Sequence, residues 1–216
     1  MNFNSTKERI IYESLRLFSE KGFDGVSMRE IAAAVDIKAA SLYAHFKGKD
    51  AIYQAIVDTM KQRYNQETML LHIDGSDAKA DVSVYKNIST EQLYLIGEQL
   101  FLFFVHDEYT KMYRKMLTIE QFKNPVLAAE FSKQYYDEAI SYQSKLFAML
   151  AESGVFSIVD YEVMAVQFFS PIYVMITICD RQPERESEML NLLKRHIDQF
   201  AKIYQMKFFQ KDMIMN

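Results

Sequence analysis

Between Lys38 and Lys49 the chain gathers the side chains a nucleic-acid contact needs: Lys38, Ala39, Ser41, Tyr43, His45, Lys47 and Lys49. Leu42 and Phe46, four apart, form the buried pair of a short helix, which turns the others outward or to its edges. The chemistry is recognition rather than bond making. Lysines, hydroxyls and helix N-termini hold phosphate oxygens, and small side chains early in a helix let it approach base edges in the major groove. Lys47-Gly48-Lys49, followed by a helix starting near Asp50, adds cations and free N–H groups at one place.

Nothing comparable supports catalysis. The four histidines, at 45, 72, 106 and 196, are scattered, with no His-Glu-x-x-His, no Glu-x-x-His and no Gly-rich phosphate loop. His106-Asp107-Glu108 is the nearest approach to a metal cluster, but adjacent helical residues point in different directions. Cys179 is the single cysteine and lies in an apolar run, so one chain offers neither a disulfide framework nor a Cys-based metal site. The expectation is no enzyme activity, no metal and no cofactor.

The elements that must position the contact residues are also legible. Ser27-Met28-Arg29-Glu30 is a capping box that opens a helix, and Ile31 and Val35 give it one apolar face. Ala32, Ala33 and Ala34 allow a close helix crossing. Asp36 then stands where the chain turns, being among the few non-glycine residues that tolerate the left-handed region. The next helix runs through Ala39 to Tyr43, and the two form a helix-turn-helix. Ser27, Met28 and Arg29, at the start of its first helix, complete the candidate DNA-contact set.

At these residues the chain resembles the TetR-type family of bacterial transcriptional regulators. The matching features are an amphipathic first helix from Ile10 to Phe18, Gly22-Phe23, Ser27 to Ala32, Leu42-Tyr43-Ala44-His45-Phe46 and Lys47-Gly48-Lys49. Asp36 stands where that family usually has glycine, and Ala40 where a glycine often opens the recognition helix. The match covers the first quarter of the chain. The resemblance implies a homodimer on a pseudopalindromic operator in double-stranded DNA, with a helical body that binds a small-molecule effector.

Composition agrees with an all-α chain. Only 3 prolines and 6 glycines occur in 216 residues, and 50% of residues are hydrophobic. Residues 1–50 carry eight Lys/Arg against seven Asp/Glu, net +1, and the remaining 17 and 22 leave −5, within an overall −4. A DNA-binding head on an acidic body fits that asymmetry. The N-terminal stretch lacks a signal-peptide layout, so a cytoplasmic location is expected.

The expected organisation is a three-helix DNA-binding head, residues 1–50, and a helical bundle for ligand binding and dimerisation, residues 51–216. Helix four is expected from about Asp50 to His72, a rod of roughly 35 Å. A polar break follows around Asp74-Gly75-Ser76-Asp77, and helices are expected over 90–106, 109–122, 125–152, 161–180 and 184–209. Val163 to Cys179 is 17 residues without a charge, short of a membrane span and interrupted by Gln167, Ser170, Pro171 and Thr177, so it reads as a buried helix. No membrane partner is expected. Leu190, Leu193, Ile197, Phe200 and Tyr204 repeat at three and four, a coiled-coil seam that is either intrachain core or, as the resemblance implies, a dimer face. The body is rich in Phe, Tyr and Met, suited to an apolar pocket with tyrosine hydroxyls as orienting groups. Its expected lining is Tyr64, Phe104, Phe122, Tyr136, Phe168 and Tyr173, for an apolar or aromatic effector.

The reading is therefore a ligand-responsive DNA-binding regulator, acting as a repressor. The alternative is a helical small-molecule-binding or protein-interaction module without specific DNA binding.

Overall fold

The computed structural model describes residues 3–155 and 160–204. These form eleven α-helices, one π-helical turn and one 3-10 turn, with no strand among the described residues. The helices are α1 Thr6–Lys21, α2 Met28–Ala34, α3 Ala39–His45, α4 Lys49–Leu70, α5 Ala78–Lys86, α6 Thr90–His106, α7 Glu108–Glu120, α8 Pro125–Ser132, α9 Glu138–Glu152, α10 Tyr161–Arg181 and α11 Glu186–Ile203. The chain divides into two compact units that interleave along the sequence. One comprises residues 1–64 and 107–132, the other residues 65–106 and 133–216.

The first unit is built on α1. Ser5 caps it by accepting from the Glu8 amide, and its apolar stripe Ile10, Leu15 and Phe18 is fully buried. Around that stripe pack α2 and α7, while α3 packs on α2 and α8 on α7. The core continues through Ile31, Val35, Leu42, Phe46, Ile52 and Ile56, so the expected inner positions of α2 and α3 are buried. Arg63 and Asp107 tie α4 to the start of α7: Arg63 Nε donates to Asp107 Oδ2 at 2.8 Å, and the guanidinium lies 4.6 Å from the Tyr109 ring centre. Burial pushes the Asp107 carboxyl up, but Arg63 and the Thr110 amide and hydroxyl hold it below its ordinary range.

In the second unit α9 packs on α5 and α10, and α11 on α6 and α10. One core cluster joins Leu146, Phe147, Leu150, Met164, Ala165 and Phe200; the other joins Phe101, Val105, Met175, Ile176, Cys179, Met189, Leu193 and Ile197. The polar break is an ordered turn. Asp81, on α5 and 1% exposed, accepts from the Asp74 amide at 2.7 Å, the Gly75 amide at 2.8 Å and the Tyr142 hydroxyl at 2.6 Å. Gly75 has φ +75°, where a side chain would be strained.

Two expected helices are broken. The segment 125–152 is interrupted by a π-helical turn, Lys133–Asp137. The last helix begins after a 3-10 turn, Pro183–Arg185, and its expected end at 205–209 lies outside the described residues. Gly154 supplies the expected stop, at φ +80° with its amide on Ala151 O at 2.9 Å.

Candidate nucleic-acid interface

The helix-turn-helix is formed as its local sequence dictates. Ser27 accepts from the Glu30 amide at 3.2 Å, and Glu30 accepts from the Ser27 amide at 2.8 Å, so both halves of the capping box are made. The Ser27 N–H, with Lys21 at 2.9 Å, pulls the Glu30 carboxyl down to about 2. Asp36 takes φ 53°, and the Ile37 amide returns to Ala32 O at 3.0 Å. The Arg9 guanidinium reaches from α1 to the Val35 carbonyl, bracing the same turn.

That turn presents α3 with Leu42 and Phe46 buried and Lys38, Ser41, Tyr43, His45 and Lys47 exposed. Ala39 is half-buried at its first turn. Arg29 is exposed on α2, Met28 is half-buried, and the Ser27 hydroxyl is engaged with Glu30. Lys49 departs from the expectation of a cation open to phosphate. Its Nζ donates to Phe23 O at 2.8 Å and sits 4.7 Å from the Phe23 ring centre. An exposed short helix flanked by Lys38 and Lys47 and held by a second one at its buried face is the geometry that enters a major groove.

The first comparison bears directly on this region: the family model for bacterial regulatory proteins of the tetR family matches residues 10–56. Over 144 residues the chain is 33% identical to the biofilm operon icaADBC HTH-type negative transcriptional regulator IcaR of Staphylococcus aureus strain Newman, covering 62% of this chain and 70% of that protein. The chain belongs to the tetR family. It is a DNA-binding transcriptional regulator of that family, and the family fold extends over nearly its whole length. A tetR-family regulator from Mesorhizobium loti superposes with a TM-score of 0.67 at 16% identity, over 92% of this chain and 96% of that one. SmeT in complex with triclosan superposes with a TM-score of 0.63 at 19% identity, over 98% and 94%. SmeT is the repressor of a Stenotrophomonas maltophilia multidrug efflux pump.

The six expected effector residues are divided between the two units: Tyr64 and Phe122 belong to the first, and Phe104, Tyr136, Phe168 and Tyr173 to the second. Phe122 is 89% exposed in the turn after α7. Phe168 is core: its ring lies 4.9 Å from Phe200, 5.8 Å from Phe147 and 5.7 Å from His196. His196 Nε2 lies 2.9 Å from Phe168 O, and because a carbonyl only accepts, that nitrogen carries the proton. Phe104 stacks edge-on with Phe103 and packs on the second core cluster. Tyr136 and Tyr173 do meet, at 5.7 Å, and Tyr135 and Phe169 join them at 5.5 and 6.3 Å from Tyr173. A separate open groove of about 410 Å³ is lined by Ser76, Asp77, Ala78, Lys79, Lys145, Ala148 and Met149, none of them expected.

The stripe read as either intrachain core or a dimer face packs largely within the chain. Leu193 is 0% exposed, Ile197 and Phe200 are buried too, and all three sit in core clusters with α6, α9 and α10. These three side chains are covered within one chain, whereas Leu190 and Tyr204 are half-buried. Leu190 packs on the second cluster and Tyr204 on the first. An apolar face is left open on α10, the one described helix long and apolar enough to cross a membrane. Met164, Ala165, Met175, Ile176 and Cys179 face its core side, while Val163, Val166 and Val174 are exposed along the other.

Proposed function

We propose that this protein is a cytoplasmic homodimeric repressor that leaves a pseudopalindromic operator when a small apolar or aromatic effector binds its helical body. The observation that carries the reading is the exposed face of α3, held by the Asp36 turn in a chain that resembles a negative regulator over most of both lengths. Lys38, Ala39 and Ser41 meet base edges, with Arg29, Tyr43, His45 and Lys47 on or beside the phosphates. The functional division is a head over residues 1–50 and a sensing and dimerising body over 51–216. A salt-dependent mobility shift on the duplex beside its own gene tests it: binding no tighter than to an unrelated duplex favours a module without specific DNA recognition.

The dimer face in this proposal is the exposed side of α10, covered by a second copy. Valines at 163, 166 and 174 with Gln167 and Pro171 make a stripe at helical spacing, and isologous pairing buries it on both copies at once. Two-fold symmetry then sets half-sites about one helical turn apart or a multiple of it. For the effector, the seat is the ring cluster Tyr135, Tyr136, Phe169 and Tyr173. It is reached at Tyr136, 41% exposed, on the π-helical turn; such turns are frequent at functional sites. That SmeT is seen with triclosan, a diaryl ether, supports an apolar aromatic class of effector.

A further inference from the structure

Glu120 is the last residue of α7 and 2% exposed. Its Oε1 accepts from the Phe23 amide at 2.9 Å across 97 residues of sequence, while its buried Oε2 has no partner. A carboxylate in that setting carries a desolvation penalty that an apolar side chain avoids, so its presence needs a reason beyond packing. The approach is open only because residue 22 is glycine. A Cβ on Gly22 would stand 2.2 Å from Glu120 Oε1, and its φ of +81° is itself unfavourable to a side chain.

Phe23 is held from the opposite side as well. Lys49, at the start of α4, donates to the Phe23 carbonyl at 2.8 Å and lies over its ring. The ring packs 5.0 Å from Phe18 of α1 and 5.8 Å from Tyr53 of α4, and Tyr53 meets Tyr113 of α7 hydroxyl to hydroxyl at 3.3 Å. One loop residue thus has its N–H, its C=O and its ring fixed by α7, α4 and α1. Four residues later Ser27 caps α2, and the intervening Val26 is buried. Where Phe23 sits therefore sets where α2 begins, and α2 carries α3.

From this clamp we infer that Glu120 is a positioning residue for DNA recognition: gripping the Phe23 amide from α7, it sets the angle at which α3 is presented to the groove. The inference rests on the DNA-binding reading. Lys49 acts in the same clamp, which leaves Lys47 as the free cation of the pair for phosphate.

The test uses the full-length chain, the duplex beside its own gene as specific probe and an unrelated duplex of equal length. Wild type must first discriminate the two; equal binding defeats the DNA reading itself, separately from the clamp. Glu120→Ala is expected to weaken specific binding roughly tenfold, the loss of one charge-assisted hydrogen bond appearing as a smaller binding-competent fraction. Binding to the unrelated duplex, which depends on charge rather than angle, stays within about twofold. Glu120→Gln keeps an acceptor for Phe23 and retains the specific affinity. Hydrogen exchange at the Phe23 amide quickens in Glu120→Ala and not in Glu120→Gln, and Lys49→Met added to Glu120→Ala costs less than the two separate losses combined. The inference is overturned if Glu120→Ala keeps specific affinity within about twofold, if both duplexes weaken together, or if Glu120→Gln behaves like Glu120→Ala.

Discussion

Asp81 permits a stability prediction whose size follows from geometry. Its Oδ1 takes one donor, the Asp74 amide, and its Oδ2 takes two, the Gly75 amide and the Tyr142 hydroxyl. Asp81→Asn keeps the shape but replaces one oxygen by an NH2 group. Placed at the Oδ2 position it would face two donors, so the amide settles at the Oδ1 position and faces only the Asp74 N–H. One bond to a charged acceptor is lost, one donor is left opposed to another, and the remaining two bonds weaken to neutral strength. Together these cost about 2–3 kcal/mol. For a chain of this size that lowers the melting temperature by roughly 4–12 °C. Asp81→Ala removes the acceptor for all three donors and should cost about 3–5 kcal/mol, whereas Tyr142→Phe costs about 1.5 kcal/mol and is partly redundant with Asp81→Asn. Thermal and urea unfolding measure the sums, and hydrogen exchange at the Asp74 and Gly75 amides locates them. An Asp81→Asn protein melting within about a degree of wild type, with both amides still protected, would refute the claim that this carboxylate organises the turn.

Lys47→Ala should lower the slope of log affinity against log salt by about 0.9 for each phosphate that no longer has its cation, whereas Lys49→Met should weaken specific binding with the slope unchanged, as read by anisotropy at several salt concentrations. Val166→Glu combined with Val174→Glu should give folded monomers by sedimentation, while Ile197→Glu buries a charge in the core and should unfold the chain instead; a dimeric double mutant contradicts the α10 face. The Glu30 carboxyl is drawn from its ordinary 4.5 to about 2 by the Ser27 amide and Lys21, so its stabilisation of α2 is present above the ordinary value and lost as pH falls through about 2. Acid titration of wild type against Glu30→Gln, followed by circular dichroism, should show the two converging below that pH and separating above it.

The helix-turn-helix was legible because its determinants are local. Ser27 and Glu30, Ile31 and Val35, Asp36, Leu42 and Phe46 each act within a few residues of one another, and capping, periodicity and turn chemistry read such spans. The core stripes of α1 and α11 were legible for the same reason, but a stripe at 193, 197 and 200 states only that a face is buried, not against what. Within the chain that face packs on α6, α9 and α10, while valines 163, 166 and 174 stay exposed. The grip of Glu120 on Phe23 had no local signal at all, since the partners are 97 residues apart. Nor does sequence periodicity separate a continuous helix over 125–152 from one interrupted by five π-helical residues.

The open valine side of α10 has a further consequence, for dosage. In the proposed dimer a lone chain carries that stripe into water, which makes it the adhesive form, and pairing removes the hazard. Solubility and operator occupancy then draw on one equilibrium. At abundances below the dimer dissociation constant, the species that can span two half-sites rises with the square of chain concentration. Under that proposal control behaves as a threshold: modest dilution at cell division, or a modest change in synthesis, moves the promoter farther than a proportional response would.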